Sequence, residues 1–326
     1  MNVLTEYMPL TDESLKAFKD DVFKGLSTEP KALQSKYFYD AQGDELFKQI
    51  MQSPEYYLTD CELEIFREHC EEMTSVLRSF RSSFDLIELG AGDASKSFYL
   101  LKCLMSHHLD FTYIPIDISS NIINTLNTAI PERLPGIRVE GIQGDYFDAL
   151  EKVADASGRP KLIMFLGGNI GNMSPDEAQA FCVRLRQHLS PGDLVLMGYD
   201  LKKDPWVIFN AYNDQAGITE KFNLNLLSRI NRDLGGDFIL SQFHHYENYD
   251  PETGACKSYL ISKTDQTVTI DDHSFSFREN EYIFTETSHK YTEAEIELFA
   301  SASGFAPVLT IKDSKNWFSD VIWRAV

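Results

Sequence analysis

The chain has 326 residues, of which 43% are hydrophobic and 25% charged, a balance that supports a packed core and excludes collagen-like, disordered and disulfide-scaffold proteins. Its 50 Asp and Glu against 30 Lys and Arg leave a formal charge of −20, and no basic cluster is denser than Lys202-Lys203. Nucleic acid and anionic membranes are gripped through basic surface, so both are disfavoured as partners.

Five scattered cysteines (Cys61, Cys70, Cys103, Cys182, Cys256) form no C-x-x-C pair and read as reduced thiols. Neither disulfides nor a metal site is expected. His107-His108 and His244-His245 are adjacent pairs, and neighbouring side chains on a strand point to opposite faces. Met1 to Asp20 carries acids and lacks an apolar core, so no signal peptide is expected. No apolar run approaches the roughly 20 residues that cross a bilayer. A cytoplasmic protein is the expectation.

Aromatic islands open the chain, Lys36-Tyr37-Phe38-Tyr39-Asp40 and Pro54-Glu55-Tyr56-Tyr57. A helix is expected next, with Thr59 and Glu62 at capping-box spacing and Leu63, Phe66, Cys70, Met73 and Leu77 along one face. The texture then alternates, with strands expected at 84–89, 111–118, 137–144 (the weakest), 162–166 and 193–199. Ser174, Pro175 and Glu177 announce a capped helix before the last of these, and Ser190-Pro191-Gly192 ends it. Strands alternating with helices predict an α/β fold with a doubly wound, mostly parallel sheet. After Leu201 come helical segments at 206–212 and 220–234 and β-like text from 243 to 284, before strands return at 307–312 and 317–326. The expected organisation is a ligand-binding sheet domain of residues 65–202 and 291–326, and a second α+β domain of residues 1–64 and 203–290.

Glu88-Leu89-Gly90-Ala91-Gly92-Asp93-Ala94-Ser95 lies where the first strand turns into a helix. Glycines there let the backbone approach a ligand, and the helix N-terminus offers unpaired N–H groups. Asp117 ends the second strand and Gly144-Asp145-Tyr146 the third. Either acid alone reads as a loop residue or helix cap. Three such features at consecutive strand ends mark the edge at which open α/β sheets bind ligands. The third glycine of a dinucleotide fingerprint is replaced by Ser95. That loss, and the acid after the third strand, favour an S-adenosylmethionine methyltransferase over a nucleotide-dependent oxidoreductase. The final pair of strands suits the antiparallel hairpin that closes a methyltransferase sheet.

The dispersed motifs make the resemblance specific. Tyr37-Phe38-Tyr39-Asp40, Gly43-Asp44-Glu45-Leu46-Phe47, Pro54-Glu55-Tyr56-Tyr57, Glu88 to Gly92 with Lys96, Gly171-Asn172, Ala211-Tyr212-Asn213-Asp214 and Thr285-Glu286-Thr287-Ser288 occur in one order over nearly the whole chain. The chain resembles the histidine Nα-methyltransferases of ergothioneine biosynthesis, which make trimethylated histidine (hercynine). The resemblance implies a Rossmann-like class I methyltransferase fold with an added substrate domain. It implies that Gly90, Lys96, Asp117, Asp145 and Tyr146 hold S-adenosylmethionine, and that Tyr39 and Phe47 lie near the methyl donor. It further implies that Tyr56, Asn172 and Tyr212 hold the carboxylate and amine of L-histidine, and that Glu286 and Ser288 read its imidazole. Tyr39 is the residue expected to orient the amine, and a monomer is expected. Ser258 stands where, without gaps, a larger apolar side chain would line the ring pocket, which leaves another aromatic amino acid or a histidine derivative as the alternative substrate.

Overall fold

The computed structural model describes residues 12–326, apart from the side chains of 12 and 154–156. The reading of Met1 to Asp20 as lacking a leader therefore falls largely outside the described residues. The chain divides into two compact units, one of residues up to Tyr57 with Lys203–Ser288, the other of Leu58–Lys202 with His289–Val326. The boundary expected at residues 64 and 65 falls inside the helix Tyr57–Glu68.

The Leu58–Lys202 unit is built on seven strands: Ser83–Leu89, Asp110–Asp117, Arg138–Val139, Lys161–Phe165, Leu194–Asp200, Phe305–Lys312 and Phe318–Ala325. Numbered in that chain order, they lie 6-7-5-4-1-2-3 across the sheet, with the pair Ile142–Gln143 extending the third position. The first five run parallel, and the last two form an antiparallel hairpin on the fifth. This is the class I methyltransferase sheet, as expected. The first, fourth and fifth strands are buried nearly throughout, which is why they read as continuous apolar runs and not as alternating text. Asp85 is tolerated inside the first strand because Arg159 donates to it at 3.0 Å and Ser157 at 2.6 Å.

The expected third strand is instead two fragments separated by Glu140 and Gly141. A Cβ at Gly141 would lie 2.8 Å from the side chains of Asn127 and Ile123, and the Gly141 amide donates to Asn127 at 3.0 Å, so the preceding helix interrupts the pairing there and the same register resumes at Ile142. The single helix expected from Thr59 is also two, Tyr57–Glu68 and Cys70–Phe80, interrupted at His69. Ser174 behaves as anticipated: its hydroxyl accepts from the Glu177 amide, Glu177 reaches back, and Pro175 opens Pro175–Gln187.

In the other unit, the strands Lys31–Ala32, Tyr282–His289, Ala255–Ser262 and Phe243–Asp250 lie side by side in that order, and Gln266–Ile270 with His273–Phe277 form a separate hairpin. The helix Ile218–Leu234 supplies Phe222, Leu226, Leu227 and Ile230 to a core shared with Phe18, Phe38, Leu46, Leu260 and Ile283. Asp40 ties the first aromatic island to that helix. Its carboxylate caps Ala41–Met51 by accepting from the Gly43 amide at 2.7 Å, and it also accepts from Asn225 at 2.8 Å and Arg232 at 2.7 Å. Gly43 is required because a Cβ would fall 1.8 Å from the Phe38 carbonyl oxygen.

Candidate active site

At the carboxyl end of the first strand the backbone turns through Gly90 (φ 69°) and Gly92 (φ 53°), both in the left-handed region that disfavours a Cβ. A Cβ on Gly90 would also lie 2.7 Å from the Tyr146 hydroxyl. The loop is clamped to the second strand, since the Gly90 amide donates to the Ile116 carbonyl at 2.8 Å. Asp117, at that strand's last position, accepts from the amides of Ser119 at 2.9 Å and Gly92 at 3.4 Å. Burial lifts its pKa, and the amides of Ser119 and Gly92 offset this only in part. Asp145 is exposed and caps Tyr146–Ala156 through the Phe147 amide at 3.0 Å. Tyr146 packs edge-on against Phe165 at 5.8 Å, and its phenol is pushed up to about 12 by burial and then by Asp117 and Asp145.

Gly90, Asp117, Asp145 and Tyr146 thus share one edge of the sheet. The cradle fits S-adenosylmethionine. Its glycine has no side chain where the Tyr146 phenol comes close, its phenol stays neutral, and its two acids stand at successive strand ends where ligand hydroxyls and amines can donate.

Lys96 lies in the same loop, just before the helix Ser97–Ser106. Its ammonium pairs with Glu62, whose side chain is 1% exposed. Burial works against the lysine's charge, but Glu62 outweighs it, and the pKa is raised. Glu62 also accepts the Gly167 amide, at 2.8 and 3.0 Å to its two oxygens. The capping-box reading of Thr59 and Glu62 is therefore corrected. The helix begins at Tyr57, Thr59 lies inside it, and the Glu62 carboxylate is committed to Lys96 and Gly167. Local spacing could not have revealed this, because the partners lie 34 and 105 residues away.

Gly167 and Gly168 turn with φ of 78° and 68° into the short helix Asn169–Asn172. Gly171 presses against the His289 backbone, where a Cβ would lie 2.6 Å from the carbonyl oxygen, and Asn172 emerges exposed. Gly171 is thus the structural half of the Gly171-Asn172 motif.

The remaining expected residues lie in the other unit, and most form one aromatic chain. Ring centroids run from Tyr39 to Phe47 at 5.6 Å, Phe47 to Tyr56 at 6.3 Å and Tyr56 to Tyr212 at 6.1 Å. The Tyr212 and Ser288 hydroxyls share a hydrogen bond of 2.8 Å. Tyr39 is 40% exposed, although both neighbours are held: Phe38 is core, and Asp40 caps a helix. Asp214 fixes the turn after Tyr212 by accepting from the amides of Ile218 at 2.8 Å and Thr219 at 2.7 Å. Burial would raise its pKa, yet those amides hold it below the usual carboxylate range. Glu55 accepts from Ser53 at 2.6 Å and from the Gln215 amide at 3.4 Å, joining the Tyr56 and Tyr212 segments. Glu286 is half-buried, two residues before Ser288 on one strand. Thr285, between the sheet and the helix Ile218–Leu234, donates to Asn223 or to the Ser258 carbonyl, each at 3.0 Å. Ser258 is buried, and its hydroxyl donates to Glu247.

None of the five cysteines is in a disulfide. Among the described residues one metal-compatible group occurs, Glu71, Cys103 and His107, with donor atoms within 4.8 Å of one another. Glu71 and His107 also line a cavity of about 460 Å³ with Thr74, Ser75, Arg78 and Ser79. His107 follows the far end of Ser97–Ser106, so this group lies at the sheet edge opposite the glycine loop. No described helix is long and apolar enough to cross a membrane.

Comparison with known proteins gives the same residues a family. The histidine N-alpha-methyltransferase of Mycolicibacterium smegmatis is 35% identical over 95% of this chain and 93% of its own length. That of Mycobacterium tuberculosis is 33% identical over 93% and 91%. Ergothioneine biosynthesis protein 1 of Neurospora crassa is 30% identical over 86% of this chain but 32% of its own length. A family model described as histidine-specific methyltransferase, SAM-dependent, matches residues 18–325. The chain therefore belongs to the histidine-specific, S-adenosylmethionine-dependent methyltransferase family.

Proposed function

We propose that this protein methylates the α-amino group of L-histidine, up to three times, giving hercynine for ergothioneine biosynthesis. The observation that carries the reading is the Tyr56–Tyr212–Ser288 contact, because side chains from distant segments that match the family's substrate groups meet there, and Phe47 and Tyr39, which match groups near the methyl donor, continue the same run of rings.

S-adenosylmethionine, when bound, supplies a methyl carbon on a positively charged sulfur. Gly90, Lys96, Asp117, Asp145 and Tyr146 would hold it. The chain's own task is orientation. Tyr56, Asn172 and Tyr212 hold the amino acid's carboxylate and amine with neutral donors and acceptors, so no unpaired protein charge need be buried. Glu286 and Ser288 read the imidazole nitrogens, and a hydrogen-bonding pocket of that kind rejects side chains lacking the matching atoms. Tyr39 directs the amine's lone pair. An α-amino group titrates near pH ~8, so a neutral fraction exists at pH 7 without a strong base. The protein works as a monomer in this reading, and five cysteines without a disulfide suit the reducing cytoplasm.

The test is incubation with S-adenosylmethionine and a panel of amino acids, following S-adenosylhomocysteine and product mass. Successive methylation of histidine is expected. Turnover of tryptophan or another amino acid in its place would overturn the substrate assignment.

A further inference from the structure

Behind the glycine loop lies a buried polar cluster that the methyl-transfer reading does not use. Glu62 accepts from both Lys96 and the Gly167 amide, so one carboxylate joins the loop after the first strand to the loop after the fourth. The sheet makes room for it: a Cβ on Gly198 would fall 2.4 Å from Glu62 Oε1. Gly198 pairs with Asp320 of the terminal hairpin, which is 1% exposed. The Asp320 carboxyl faces Glu62, and burial, then the Glu62 charge and a hydrogen bond with Glu62, push its pKa well above the usual carboxylate range, while the Lys96 ammonium is hydrogen-bonded to Glu62 itself. An ammonium has three donors, and with Glu62 fixing the nitrogen the others keep a defined direction.

We propose that Glu62 is a positioning residue of the S-adenosylmethionine site, acting through Lys96 and the Gly167 amide to hold the two loops in the geometry that binds the donor. Glu62 touches neither donor nor amine in this scheme. The proposal rests on the cofactor reading given above.

Glu62→Gln keeps an acceptor for Gly167 but removes the charge that fixes Lys96. Calorimetric titration of the purified protein with S-adenosylhomocysteine is expected to show binding at least about tenfold weaker. Without ligand, Glu62→Gln should unfold at a lower temperature, because Lys96 loses its buried counter-charge. The double variant Glu62→Gln/Lys96→Met leaves neither member of that pair charged, so it should regain thermal stability yet bind no more weakly than Lys96→Met alone, a combination that a purely structural role would not give. Wild-type affinity in a folded Glu62→Gln protein overturns the proposal. So does additive loss in the double variant, which also decides the matter if Glu62→Gln does not fold. Failure of the wild-type protein to bind S-adenosylhomocysteine would instead overturn the cofactor reading beneath it.

Discussion

The two units build ligand-facing surface by different means. At the sheet edge of the Leu58–Lys202 unit, the groups are backbone turns at Gly90, Gly92, Gly167 and Gly168, with charges held in pairs such as Lys96 and Glu62. In the other unit they are hydroxyl-bearing aromatic side chains, Tyr39, Tyr56 and Tyr212, with Phe47 between the first two and the Tyr56–Tyr212 contact joining segments far apart in the chain. The first kind of surface suits a ligand approached closely by main chain at strand ends. The second suits a small zwitterion that must be read atom by atom. Damage to the glycine loop should therefore impair the methyl donor and spare histidine, and damage to the Glu286–Ser288 segment should do the reverse.

The largest expected effect tests the amino-acid side. Glu286→Ala should raise the KM for histidine by about a hundredfold or more, because imidazole N–H groups would lose their acceptor in a desolvated site. S-adenosylhomocysteine binding, measured by calorimetry, should stay within about twofold. An equal loss for both ligands would break the comparison.

The matching change in the other unit is Gly90→Ala. It places a Cβ 2.7 Å from the Tyr146 hydroxyl at a φ of 69°, so cofactor affinity should fall about tenfold or more. Histidine affinity should be spared. Tyr212→Phe should cost about 0.5–1.5 kcal/mol, the worth of its hydrogen bond to Ser288, read as a roughly two- to tenfold rise in histidine KM.

Glu88 sharpens the comparison through pH. It is buried in the first strand, and burial raises its pKa to about 7, against hydrogen bonds from Tyr113 (2.5 Å) and Ser97 and the charge of Lys96. The folded protein thus holds this proton more tightly than the unfolded chain, whose value is near 4.5. The associated stability is complete below pH ~4.5 and is lost as pH rises towards ~7. Glu88→Gln should remove that slope, so denaturant midpoints measured from pH 5 to 8 should vary less than in the wild type. The smallest effect is Ser174→Ala, which removes a helix cap and should cost about 1 kcal/mol of stability by denaturant titration.

Legibility in the sequence followed the range of the interactions. Ser174, Pro175 and Glu177 were readable because a helix cap is satisfied within three residues. Gly90 and Asp117 were readable because strand ends and turns are local, and a parallel sheet brings its strand ends to one edge. The family motifs located Tyr56, Tyr212 and Ser288 but not what supports them. Glu55 and Asp214 lie inside those motifs, but that they hold the turn beside Tyr212 follows only from their hydrogen bonds. Glu62 was misread outright. Its spacing from Thr59 obeyed a local rule, and nothing nearby signals that its carboxylate serves Lys96 and Gly167. A small residue on a neighbouring buried strand was the available signal, and Gly198 carries meaning only once the helix lies across it.

The sequence by itself determined the alternating elements, the parallel sheet with its closing hairpin, the glycine loop and the family. These follow from periodicity, turn chemistry and ordered motifs, all carried by neighbouring residues. The tertiary structure alone decided which acids are paired, capping or buried. Asp145 caps a helix, Glu62 binds a lysine and Asp320 is buried against Glu62. The physical reason is that a carboxylate's state depends on burial and on charges a few ångströms away, and those neighbours are chosen by the packing of segments that lie far apart along the chain.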